Sequence, residues 1–147
     1  MLVSEAMSRD VKTVTPDTTI REAAWLMGEC DIGALPVSDG SRLAGMVTDR
    51  DIAVRAVAIG RGADALVSEV MTLDVLYCHE DEDIGHVATN MADKQVRRLP
   101  VVNADKRLVG IISLADIADA RSDEAGEALE GITRPGGERS QSVEGRA

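Results

Sequence analysis

With 147 residues, 44% of them hydrophobic, the chain can bury one core of ordinary size and has no room for a second independent domain. A net charge of −10, with Trp25 and Tyr77 as the only large aromatics, opposes binding to nucleic acid or to anionic lipid, because basic surface and stacking platforms are both lacking. No apolar run approaches the roughly 18 residues a membrane span needs and the N-terminus lacks a signal-peptide pattern, so a soluble cytoplasmic protein is expected, with Cys30 and Cys78 as thiols.

In chain order, a short lead-in, Val3-Ser4-Glu5-Ala6-Met7, is followed by an extended stretch over residues 11–15. Thr19-Ile20-Arg21-Glu22 has capping-box spacing, and Ile20, Ala23, Ala24 and Met27 recur at helical intervals, which predicts a helix with one apolar face. Apolar strands over 34–37 and 43–47 flank the polar turn Ser38-Asp39-Gly40-Ser41, and a second helix is predicted over 49–59.

The series then repeats. Val67-Ser68-Glu69-Val70-Met71 echoes the lead-in at an offset of 64, and Asp74-Val75, Ile84, Met91 and Leu99-Pro100-Val101 match Asp10-Val11, Ile20, Met27 and Leu35-Pro36-Val37 at the same offset. Beyond the hairpin turn the offset becomes 65, pairing Leu43 with Leu108, Gly45 with Gly110 and Asp51-Ile52-Ala53 with Asp116-Ile117-Ala118. The second copy thus carries one extra residue in a surface turn, where insertions are tolerated. Its elements are an extended stretch over 75–78, a helix capped by Asp83 with Ile84, Val87, Ala88 and Met91 on one face, strands over 99–102 and 108–112 around Asn103-Ala104-Asp105-Lys106, and a helix over 114–120.

The expected fold is α/β (α+β), two tandem β-α-β-β-α motifs at 1–64 and 65–121 packed as one module, with 122–147 a flexible tail containing Pro135-Gly136-Gly137. Within that tail, 124–129 has the composition to extend a helix at a subunit contact.

Outside the apolar set the tightest match between copies is Gly45-Met46-Val47-Thr48-Asp49-Arg50-Asp51 with Gly110-Ile111-Ile112-Ser113-Leu114-Ala115-Asp116, both G-h-h-[ST]-x-x-D. Each falls where a strand ends and a helix begins. A carboxylate there suits the vicinal hydroxyls of a ribose, and the neighbouring hydroxyl suits phosphate or sugar oxygens. Ser/Thr-x-x-Asp is also a helix capping box that needs no ligand, and the residues alone leave both readings open. Gly45 and Gly110 equally suit close strand packing. Cys78-His79, with His86 and Cys30, carry metal-ligand chemistry but at spacings of no familiar zinc pattern, so they remain weak candidates and no metal is expected. Trp25 reads as packing or interface surface. Neither a nucleophile with a nearby base nor a Walker loop is present, so catalysis is not expected.

The tandem copies, the Leu-Pro-Val strands and both G-h-h-[ST]-x-x-D ends resemble the cystathionine β-synthase (CBS) domain pair, or Bateman module, over Val3 to about Ala120. With nothing attached, the chain resembles the stand-alone members. The resemblance implies a pseudo-twofold relation between the copies, a disc-like homodimer, and regulatory binding of AMP, ADP, ATP, NAD or S-adenosylmethionine, read out by an unidentified effector protein. It implies one cleft of Thr13, Ile32, Gly33 and Ala34 with Ser113 and Asp116, and another of Tyr77, Val96, Arg97 and Arg98 with Thr48 and Asp51. In this family a basic residue before the second Leu-Pro can meet phosphates, a role Arg97-Arg98 fits by charge; Gly33-Ala34 at the equivalent place makes the two clefts chemically unequal. The rival reading is a dimerising interaction module that needs no ligand.

Overall fold

The computed structural model describes residues 1–120 and Ile132; the expected tail and its helical extension lie outside the described residues. The fold is mixed α+β, with small sheets and short helices. In order, the elements are α1 (Val3–Ala6), α2 (Ile20–Cys30), β1 (Ala34–Asp39), β2 (Arg42–Thr48), α3 (Asp49–Arg55), β3 (Cys78–His79), α4 (Ile84–Lys94), β4 (Arg98–Val102), β5 (Leu108–Ser113) and α5 (Leu114–Ala120). Single 3-10 turns lie at Val57–Ile59 and Val67–Glu69. The helix expected over 49–59 thus ends at Arg55, where Ala56 leaves helical geometry, and finishes as the first of those turns.

The chain forms two compact units, and they do not follow the copies. Of the described residues, one contains Met1–Val11, Leu76–Ala104 and 109–120; the other contains Lys12–Val75 and Asp105–Leu108. Each lead-in is therefore grouped with the other copy's elements. The Val3 and Ser4 N–H groups donate to the carbonyls of Glu82 and Glu80, and the Ile84 N–H donates to Met1. In the other unit Val67 and Ser68 donate to Thr18 and Pro16, and Ile20 donates to Ala65. Burial supplies the reason. Val3 and Met7 join Ile84, Val87, Ala88, Met91, Leu99, Val101, Ile112 and Ile117 in one core, while Val67 and Val70 join Ile20, Ala23, Met27, Leu35, Val37 and Val47 in the other.

Both first helices are laid out by capping and amphipathicity. The Thr19 hydroxyl accepts from the Glu22 N–H, and the Asp83 carboxylate accepts from the Gly85 N–H. The expected apolar face of α4 is buried in full; on α2, Ala24 is exposed, and Leu26 packs against the core beside Ile20, Ala23 and Met27.

β1 pairs antiparallel with β2 through a turn centred on Gly40 (φ +66°), and an irregularity interrupts the register at Val37/Ser38. In the other unit β3, β4 and β5 form a three-stranded sheet in which β3 runs parallel to β4. The counterpart of β3 in the first copy is reduced to a single parallel bridge, Val14 to Val37. Proline explains the difference: the Glu80 N–H extends the ladder to the Val102 carbonyl, whereas the same place in the first copy is Pro16, which has no N–H to give. The turn with the extra residue is grouped with the first copy's hairpin, where Leu108 N–H donates to Ser41 O and the Arg107 guanidinium meets the Ser41 hydroxyl.

Candidate functional site

Both G-h-h-[ST]-x-x-D segments run off the end of a strand into a helix. The Thr48 hydroxyl accepts from the Asp51 N–H at 3.0 Å while Asp51 Oδ2 accepts from the Thr48 N–H at 3.0 Å. Ser113 and Asp116 repeat this reciprocity at 3.1 and 2.9 Å. Helix capping, one of the two readings open from sequence, is thus realised at both ends. Each cap engages only Oδ2, so Oδ1 of each partly buried carboxylate keeps its acceptor capacity for a ligand donor.

The turn before each Leu-Pro strand is fixed against these caps within its own unit. α2 ends in left-handed Asp31 (φ 52°), and the Ile32 N–H returns to the Met27 carbonyl; Gln95 (φ 56°) and Val96 do the same after α4. The Gly33 carbonyl then accepts from the Asp49 N–H, and the Arg97 carbonyl from the Leu114 N–H, each at 2.9 Å. Ala34 pairs directly with Thr48. The structure therefore brings Ile32, Gly33 and Ala34 together with Thr48 and Asp51, and Val96, Arg97 and Arg98 together with Ser113 and Asp116. Thr13 and Tyr77 occupy equivalent exposed positions immediately before Val14 and β3, and the Tyr77 ring meets that of His79 edge-on at a 5.7 Å centroid distance. Arg97 and Arg98 are exposed.

The two glycines of the motif admit the lead-ins. A Cβ on Gly45 would lie 2.7 Å from the Thr72 carbonyl oxygen and 3.2 Å from Met71 Sδ; on Gly110 it would lie 2.8 Å from the Ser8 carbonyl oxygen and 2.5 Å from Met7 Sδ. Backbone bridges lock the same crossings, Met46 with Thr72 and Ser8 with Ile111. Close packing, the plainer sequence reading of these glycines, is their role here.

Asp49 was not singled out by sequence. Its signal was a carboxylate where the second copy has Leu114, opposite a glycine where the second copy has Arg97.

The weak metal candidates are not assembled. Cys78 is buried, and its thiol is pushed up to about 12, first by desolvation and then by the Glu82 carboxylate. His79 and His86 are exposed and lie 4.0 and 3.5 Å from Glu82, and Cys30 is in the other unit. Among the described residues no group of three or more His, Cys, Asp or Glu side chains could hold a metal ion. No described helix is long and apolar enough to cross a membrane.

Two units on one hairpin-and-helix plan, each closed by a hydroxyl–carboxylate cap and completed by the other copy's lead-in, define a tandem module of the CBS class. The CBS domain family matches residues 3–57 and 67–123, and the chain belongs to that family. It is 41% identical over 133 residues to the CBS domain-containing protein YhcV of Bacillus subtilis, covering 89% of this chain and 94% of that protein. Among solved structures it is similar to the CBS domain pair of protein MJ0100 in complex with 5′-methylthioadenosine and S-adenosyl-L-methionine, at TM-score 0.70 and 34% identity over 82% of this chain and 98% of that one. It is also similar to CBSX2 in complex with AMP, at TM-score 0.72 and 27% identity over 83% and 96% of the two chains.

Proposed function

We propose that the protein is a regulatory module that binds an adenosine-containing ligand, of the group AMP, ADP, ATP, NAD and S-adenosylmethionine, at the strand-to-helix edges bearing Thr48–Asp51 and Ser113–Asp116. The observation that carries this reading is the duplicated cap with an uncommitted carboxylate oxygen, in a chain whose relatives are solved with adenosine compounds bound. Ile32, Gly33 and Ala34 line one edge, Val96, Arg97 and Arg98 the other, with Thr13 and Tyr77 as further contacts. Occupancy stabilises one conformation, which an effector protein reads. The working form is a cytoplasmic homodimer, for which exposed Trp25, Val57 and Ile59 supply apolar surface.

A second reading has its own support. The caps are complete without any ligand, as an interaction module acting through its surface alone would require.

Thermal unfolding against the five adenine compounds, with guanosine analogues as controls, separates the two. A ligand at about 100 times its dissociation constant stabilises by about 2.7 kcal/mol. A shift confined to adenine compounds and abolished by Asp51→Ala or Asp116→Ala supports the sensor. Absence of any shift favours the ligand-free module.

A further inference from the structure

The copies differ most where the turn before the Leu-Pro strand meets the second helix. In the first copy a Cβ on Gly33 would lie 2.9 Å from Asp49 Oδ2 and 3.4 Å from its Cγ, so the missing side chain at 33 makes room for the Asp49 carboxylate. Asp49 is exposed, and its Oδ1 accepts from the Arg50 N–H at 2.8 Å. Asp31 caps the preceding helix at its C-terminus, and Asp49 and Asp51 both lie in the first turn of α3.

At the corresponding positions the second copy has Arg97 for Gly33, Arg98 for Ala34, Leu114 for Asp49, Ala115 for Arg50 and Gln95 for Asp31; only the cap carboxylate, Asp116, is kept. The 2.9 Å backbone bond that closes both edges is the same, so a common frame carries opposite charge. A 5′-phosphate brought beside Asp49 meets repulsion that a neutral thioether or a cationic sulfonium does not.

We propose that Asp49, seated in the space left by Gly33, is the specificity-determining residue of the first copy's edge: it turns away adenosine 5′-phosphates and admits adenosine whose 5′ substituent bears no negative charge. Arg97 and Arg98 leave the second copy's edge open to phosphates. The inference rests on the reading that adenosine ligands bind at these edges.

Calorimetric titration of the full chain with AMP and with 5′-methylthioadenosine tests it. Asp49→Asn keeps the shape and removes the charge; it should tighten AMP binding at the first copy's edge by about fivefold or more at low salt, while methylthioadenosine affinity changes by less than about twofold. Gly33→Ala, whose Cβ displaces the carboxylate, should move the ratio of the two affinities in the same direction. Asp49→Ser is a second charge-free variant should Asp49→Asn not fold, with circular dichroism as the check. An unchanged ratio in a folded charge-free variant overturns the proposal and leaves the adenosine reading standing. Failure of both compounds to bind the wild-type chain removes that reading and the proposal with it.

Discussion

Single atoms decide much at the cap residues and the glycines. Thr48→Ala and Ser113→Ala each remove a hydroxyl that satisfies a helix N-terminal N–H, and each should cost about 0.5–2 kcal/mol in denaturant unfolding. Gly45→Ala and Gly110→Ala force a methyl against a backbone carbonyl that cannot rotate away, and about 1–3 kcal/mol of destabilisation is expected by the same measurement. Cys78 predicts a pH effect. Its thiol ionises at about 12 when folded against an ordinary 9.0, so above 9.0 the unfolded chain sheds a proton that the native chain keeps. Stability should therefore decline as pH rises from about 9 towards about 12, and Cys78→Ala should lack this component of the alkaline loss. At this scale the sequence showed the hydroxyl and carboxylate of each cap, because three-residue spacing is local. It could not show that Gly45 faces Thr72 or that Gly33 makes room for Asp49, since both approaches need the chain to return through space.

At the scale of elements, local pattern and long-range pairing separate cleanly. Helices α2 and α4 were legible from period and cap, with Ala24 the exception: its methyl falls on the edge of the apolar face, and Leu26 packs against the core beside that face. Both hairpins were legible from apolar runs around polar turns. The unequal third strands were not, although their cause, Pro16 against Glu80, is visible once the parallel partner is known. Lead-in docking carries the strongest expectation here. Val3 and Val67 are fully buried, so Val3→Ala and Val67→Ala should each destabilise by more than about 1 kcal/mol, whereas Leu73→Ala, exposed, should stay within about 0.5 kcal/mol. Chemical denaturation of the three variants side by side checks the ranking.

For the whole molecule, the exchange of lead-ins has a consequence for folding. Each unit draws buried residues from both copies, so a fragment of residues 1–64 or 65–121 alone lacks part of the core it needs. Circular dichroism of the separate fragments should show little cooperative unfolding, and mixing them should restore it. Cooperative melting of either fragment alone would contradict this. The sequence by itself determined the repeat, its elements, the family and the residue types at each edge, because these follow from periodicity, turn chemistry and motifs read within a few residues of one another. Only the tertiary structure decided which lead-in completes which core, why the motif glycines must lack side chains, and that Asp49 occupies the space beside Gly33, because each depends on segments distant in sequence meeting within van der Waals or hydrogen-bonding distance.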